Sequence, residues 1–253
     1  MLLTALLLAA ASTQPPAAPT GAEAEYQACV ERASRDPAGA IAEAEAWRDR
    51  GGGMAARQCL GLAFVGTGQW LPAAAAFEQA ARDAEIKKDP IAADLWVQAG
   101  NASLAGDDAA KARNAFDRAL SLDSLTGPLR GEAIMDRARA AVAMNEFVAA
   151  RTDLDEALRL VPADPMGWLL SATLARRMGD LSRADRDIAE ARRLAPDDAA
   201  VAYEEGSIAY ARGDMAAARA AWQGIVDRQP QSAPADFARQ GLQAIESGAA
   251  SAN

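Results

Sequence analysis

The 253 residues contain no histidine, which removes the commonest general base and the commonest zinc ligand. The two cysteines, Cys29 and Cys59, cannot form a thiolate metal site on their own. No Gly-rich phosphate loop, HExxH helix, GxSxG elbow or CxxC pair occurs, so the usual marks of nucleotide binding, metallohydrolysis, acyl transfer and dithiol redox chemistry are missing. No catalytic residue, metal site or cofactor is assigned. Basic residues number 26 against 35 acidic ones, for a net charge of −9; broad nucleic-acid binding needs a basic face, so this balance argues against it while leaving room for a local basic patch. Aromatics make up only 5% of the residues, and alternating β-branched and aromatic runs are absent, which excludes a sheet-based core. The 51% of hydrophobic residues are instead rich in alanine, the best helix former and small enough to let helices approach closely. The chain reads as all-α.

The N-terminus is a different kind of sequence. Leu2 to Ala11 is apolar apart from Thr4, and no charged side chain precedes Glu23. Ten helical residues rise roughly 15 Å, about half of a bilayer core, so the run is too short to span a membrane. Ala9-Ala10-Ala11 fits a small-x-small cleavage site, and a Pro/Ala/Thr stretch follows. Residues 1–11 are therefore assigned as a signal peptide and 12–22 as a disordered spacer, although the n-region lacks Lys and Arg. This gives a periplasmic location, with a cytoplasmic protein carrying an apolar tail as the alternative.

Beyond the spacer the chain repeats. Ala150, Ala184 and Ala218 recur every 34 residues, as do Pro162, Pro196 and Pro230. Each alanine is followed four residues later by Leu154, Ile188 or Trp222. The best copy, 164–197, opens with Asp164-Pro165, an N-cap followed by a proline suited to the first helical turn. Trp168, Ser171, Ala172 and Ala175 then form one helix face, Gly179 ends that helix, and Asp180 caps a second, which Pro196 stops. Each unit is thus a helix–turn–helix hairpin, and a period of this length means a stacked array.

These residues resemble the tetratricopeptide repeat family, whose pattern sets a small residue on one helix against Ala-x3-aromatic on the next. The match is strong in 54–82 (Leu60-Gly61-x2-Phe64, Gly68, Trp70, Ala73-x3-Phe77-x2-Ala80) and in 199–230 (Gly206, Gly213, Ala218-x3-Trp222, Pro230). It is good in 94–123 (Trp96, Ala99-Gly100, Ala112-x3-Phe116), and the second helix of 131–164 matches through Phe147, Ala150 and Leu154. Residues 23–50 look like a degenerate first copy, with Asp36-Pro37 between its helices. The resemblance implies a right-handed superhelical array of about six hairpins over 23–230. A cap helix (231–246) and a disordered tail (247–253) are expected after it. Equivalent alanines are 39 residues apart from Ala73 to Ala112 and 38 from Ala112 to Ala150, so longer helices or linking loops are expected at Arg82–Pro90 and Asp123–Arg130.

In this family the first helix of each hairpin lines a concave groove. Carried over by register, the groove comprises Val97, Asn101 and Leu104; Met135, Arg139 and Val142; Leu169, Thr173, Arg176 and Arg177; and Tyr203, Ser207 and Tyr210. Arg139, Arg176 and Arg177 suggest an arginine patch for an acidic peptide or a carboxylate; the plainer reading makes them solvated charges near helix C-termini. Tyr203 and Tyr210 are either interface anchors or padding against the cap helix. The lysine/asparagine clamp of co-chaperones is not matched, because Val97 stands where a lysine is wanted. Cys29 and Cys59 fall on neighbouring first helices, either bonded or as two buried thiols. The tryptophans read as core, and Asp153-Asp155-Glu156 and Glu204-Glu205 as solvated faces. The expected function is a non-catalytic adaptor holding a peptide segment of a cell-envelope protein. A structural subunit docked through its convex face or termini is the first alternative. A helical-array enzyme such as a cell-wall hydrolase is the second.

Overall fold

The computed structural model describes residues 21–251; the signal peptide expected at 1–11 and the expected spacer positions 12–20 lie outside them. The described residues form thirteen helices and no strand. Six hairpins run α1 (Gly21–Arg35) with α2 (Pro37–Trp47), α3 (Gly53–Gly66) with α4 (Trp70–Ile86), and α5 (Ala92–Ala105) with α6 (Ala109–Leu120). They continue as α7 (Gly127–Ala143) with α8 (Phe147–Leu160), α9 (Pro165–Arg177) with α10 (Leu181–Leu194), and α11 (Ala199–Arg212) with α12 (Met215–Arg228). A last helix, α13 (Ala233–Ser251), packs on α11 and α12. No helix among the described residues is long and apolar enough to cross a membrane.

Local chemistry sets these boundaries. Between the helices of hairpins two to six, one residue takes the left-handed conformation: Gly68, Asp107, Asn145, Gly179 and Gly213, with φ from 60° to 85°. Glycine, asparagine and aspartate are the residues that tolerate it, and there it reverses the chain. Aspartate caps follow. The Asp36, Asp108, Asp180 and Asp214 carboxylates accept from the backbone N–H three residues on, satisfying a donor the helix leaves orphaned.

The stretched register resolves into longer helices. α4 continues through Arg82 to Ile86, and α7 starts early at Gly127, so each has 17 residues. Two other boundaries differ from expectation. Gly21 and Ala22, assigned to the spacer, open α1. α13 passes residue 246 to reach Ser251, because 247–251 contains no proline and its one glycine costs only about 1 kcal/mol in a helix.

The core runs along the array: one large cluster spans hairpins two to five, and smaller ones join hairpins one and two, hairpins five and six, and hairpin six with α13. At its helix crossings a size rule operates. A Cβ placed on Gly61, Gly100 or Gly206 would come within 2.5 Å of the Phe77, Phe116 or Trp222 ring. At the equivalent places in hairpins four and five the residues are Ala138 and Ala172, and the facing residues are Leu154 and Ile188. Glycine meets a ring; alanine meets an aliphatic side chain. Of the five tryptophans, Trp47, Trp96 and Trp222 are buried and Trp168 half-buried, whereas Trp70 stands exposed on its hairpin turn.

The acidic clusters are only partly solvated: Asp155 is exposed, whereas Asp153 and Glu204 are buried. Arg137 donates to both carboxylate oxygens of buried Asp153, at 2.7 and 2.9 Å, and to Asp117 of the preceding hairpin at 2.9 Å. Arg183 reaches Asp155, Arg212 reaches Asp185, and Arg192 reaches Glu205. The pairs Arg137–Asp117, Arg183–Asp155, Arg212–Asp185 and Arg192–Glu205 each join one hairpin to its neighbour.

At the N-terminal end, Cys29 of α1 and Cys59 of α3 are joined by a disulfide, with Cα atoms 6.1 Å apart. Trp47, Ala44 and Leu60 surround it. α2 continues into a wide turn, Arg48–Gly52, broken at Gly51, before α3 begins.

Candidate functional site

Two adjoining first helices, α7 and α9, leave an opening between them, closed underneath by α8. The resulting pocket has a volume of about 240 Å³. Ala138, Arg139 and Val142 come from α7, Leu154 from α8, and Leu170, Thr173, Leu174 and Arg177 from α9. The floor is aliphatic and the two arginines stand on the rim.

The spacing on α9 explains the arrangement. Leu170, Thr173, Leu174 and Arg177 follow at three, one and three residues, so they share one helix face. Arg177 is exposed, and its guanidinium lies 4.7 Å from the centre of the Phe147 ring, a cation–π contact that orients it while leaving its N–H groups available. No carboxylate approaches it within 4 Å among the described residues. Arg139 donates to Asp136 at 2.9 Å, one turn back on α7, and is otherwise exposed.

Of the residues assigned to the groove by register, Arg139, Val142, Thr173 and Arg177 converge here. Met135 and Leu169 do not reach the surface: both are buried, Leu169 in the hairpin-five core and Met135 against Gly167. Arg176 also departs from the expected patch. Neighbours on a helix point about 100° apart, so Arg176 turns to α11, where Nε and Nη2 donate to Glu204 at 2.6 and 3.2 Å. Glu204 is only 4% exposed, and its hydrogen bonds raise the Arg176 pKa above the ordinary arginine value against the opposing effect of burial. This guanidinium closes the α9–α11 seam.

The flanking positions are occupied otherwise. Val97 and Leu104 are half-buried beside Phe116, and Asn101 is exposed. Tyr203 is half-buried, with its ring centre 6.1 Å from Trp222 and 6.0 Å from Phe237 of α13. Tyr210 lies 5.8 Å from Trp222 and is 42% exposed. The Ser207 hydroxyl donates back to the Tyr203 carbonyl at 2.9 Å. The sequence reading missed the floor residues Leu154, Leu170 and Leu174 and the Phe147 support. The α9 periodicity holds the signal for Leu170 and Leu174, whereas Leu154 and Phe147 belong to a second helix.

A larger pocket, about 380 Å³, lies between α4, α5 and α6. Its charges are already matched: Arg118 bonds Glu85, Arg82 bonds Glu78, and Lys111 lies 3.8 Å from Glu78. The hydrogen bond from Arg118 is the main reason the Glu85 pKa is lowered. No group of three or more cysteine, aspartate or glutamate side chains converges as metal ligands among the described residues.

Comparison with known proteins places this architecture. Among solved structures, PilW, described as a widely conserved type IV pilus biogenesis factor, superposes with a TM-score of 0.70 at 21% identity, over 87% of this chain and 99% of PilW. PilF of Pseudomonas aeruginosa gives 0.67 at 17% identity, over 88% and 96% of the two chains. YrrB, described as a TPR protein with an unusual peptide-binding site, gives 0.54 at 18% identity, over 78% and 96%. At these identities the likeness is one of fold. A search of curated proteins finds no match. The tetratricopeptide repeat family model matches residues 60–125 and 169–233, more than half of the sequence. With that match, and with five of its six hairpins sharing one turn and one crossing rule, the chain belongs to the tetratricopeptide repeat family.

Proposed function

We propose that the chain is a non-catalytic adaptor that holds a peptide segment of another protein along its first helices, with the α7–α9 pocket as the principal contact. Tetratricopeptide arrays serve as protein–protein interaction scaffolds, and this pocket is the observation that carries the finer reading. It is an aliphatic cavity large enough for one big side chain, on the first-helix face, with an arginine on each side. A convex dock through the α4–α6 pocket has less in its favour, because that pocket's charges are bonded to one another. The partner class we favour is a cell-envelope protein. The fold shared with a pilus biogenesis factor supports this, as does a disulfide, since disulfides persist outside the reducing cytosol.

The test is partner capture from an envelope extract. Arg139→Glu combined with Arg177→Glu is expected to reduce capture at least tenfold, about 1.4 kcal/mol, while Lys111→Glu combined with Arg118→Glu leaves it intact. The reverse pattern would place the partner on the opposite face and contradict the proposal.

A further inference from the structure

We infer that the α7–α9 pocket selects an internal, extended segment in which one large apolar side chain is flanked by a single acidic residue. The inference rests on the groove reading above. The floor made by Val142, Leu154, Leu170 and Leu174 is aliphatic, and below the rim only the Thr173 hydroxyl is polar, so the inserted residue is apolar. A volume of about 240 Å³ is enough for one large apolar side chain.

The charge follows from counting at the rim. Arg139 and Arg177 bring two positive charges, and Asp136 neutralises one of them. One guanidinium is left over, that of Arg177, and it occupies a position where the flanking hairpins have Ala105, Ala143 and Ala211. The arginine is therefore peculiar to this seam. The next seam has no such surplus, because Glu204 already bonds Arg176. A single carboxylate matches the surplus through charge-assisted hydrogen bonds. An acidic run would instead meet the repulsion of a chain with net charge −9.

The segment is internal because the seam lies between the fourth and fifth of six hairpins. The face continues to exposed Asn101 on one side and exposed Tyr210 on the other. A bound strand passes over the pocket, and no enclosed end is provided for a chain terminus.

A display library of random twelve-residue segments, anchored in the display protein at both ends, tests this against the full chain. Enriched sequences are expected to share a Leu, Met, Phe or Trp with an Asp or Glu within two positions. Individual peptides are expected to bind Arg177→Gln at least tenfold more weakly. Thr173→Phe, which fills the pocket and whose folding is checked by its melting midpoint, is expected to abolish binding. Enriched peptides without an acidic residue, or indifferent to Arg177→Gln, overturn the inference; if Thr173→Phe still removes them, the groove reading stands. Peptides indifferent to both changes, or no enrichment at all, overturn both readings. Enrichment only from a library with free C-termini overturns the internal-segment claim.

Discussion

Reduction of the Cys29–Cys59 disulfide is expected to destabilise the N-terminal end of the array by about 3–4 kcal/mol, the chain-entropy value for a loop of this length. The bond spans 30 residues and ties α1 to α3 across a hairpin that is otherwise weakly specified. α1 has only two buried side chains, Cys29 and Ala33. The link to the next hairpin runs through Gly51, Gly52 and Gly53, which give the unfolded chain much freedom to regain. Neighbouring hairpins hold one another only at shared faces, so the loss should appear as early melting of one end rather than a uniform shift. Urea unfolding with and without reductant checks it, with the fluorescence of Trp47, buried beside the disulfide, reporting on that end. A Cys29→Ser/Cys59→Ser variant should match the reduced protein under both conditions. An unchanged transition on reduction would show that packing alone holds the first hairpin.

Gly206→Ala is expected to cost about 1–3 kcal/mol through overpacking, although alanine is the better helix former by about 1 kcal/mol. The added Cβ would lie 2.3 Å from Trp222 Nε1 and 2.5 Å from Cδ1. The ring has no room to retreat. Gly241 of α13 backs its other edge, where a Cβ would sit 2.5 Å from Cζ3, and Nε1–H donates to the Tyr203 carbonyl at 3.1 Å. The Ala138/Leu154 and Ala172/Ile188 pairs show how the clash is relieved. In a Trp222→Leu background, the added methyl should therefore cost far less. Thermal unfolding of the two single variants and the double variant measures that coupling. If Gly206→Ala proves neutral in the wild-type background, the size rule at the crossings is wrong.

That rule also shows how much of the fold was legible in the sequence. Turn positions, aspartate caps and the alanine crossings are local in cause, so a 34-residue shift exposes them directly. The longer spacings at Ala112 and Ala150 left helix extension and looping open; sequence offers no rule for choosing, and here α4 and α7 took up the residues. The site was legible to the extent that it is one helix face. Arg139, Val142, Thr173 and Arg177 followed from register. Met135 and Leu169 share a register with Val97 and Tyr203, yet both are buried, Met135 against Gly167 of the next hairpin and Leu169 in a cluster shared with Val201 and Ile208, which depends on the neighbouring helices. Arg176 was misread for a similar reason: its partner Glu204 lies 28 residues away, on the next hairpin. Arginine pairings, within hairpin four for Asp153 and across the α9–α11 seam for Glu204, likewise turned apparent surface charges into buried ones.

The proposed binding site is the first-helix seam of hairpins four and five. Methyl-labelled NMR of the full chain, titrated with a peptide selected from the display library, tests it most directly. Shifts are expected to concentrate at the methyls of Val142, Leu154, Leu170 and Leu174, with those of Ala74, Ala99 and Ala115 in the α4–α6 pocket unmoved. Shifts confined to the latter three, with the seam methyls unchanged, would contradict it.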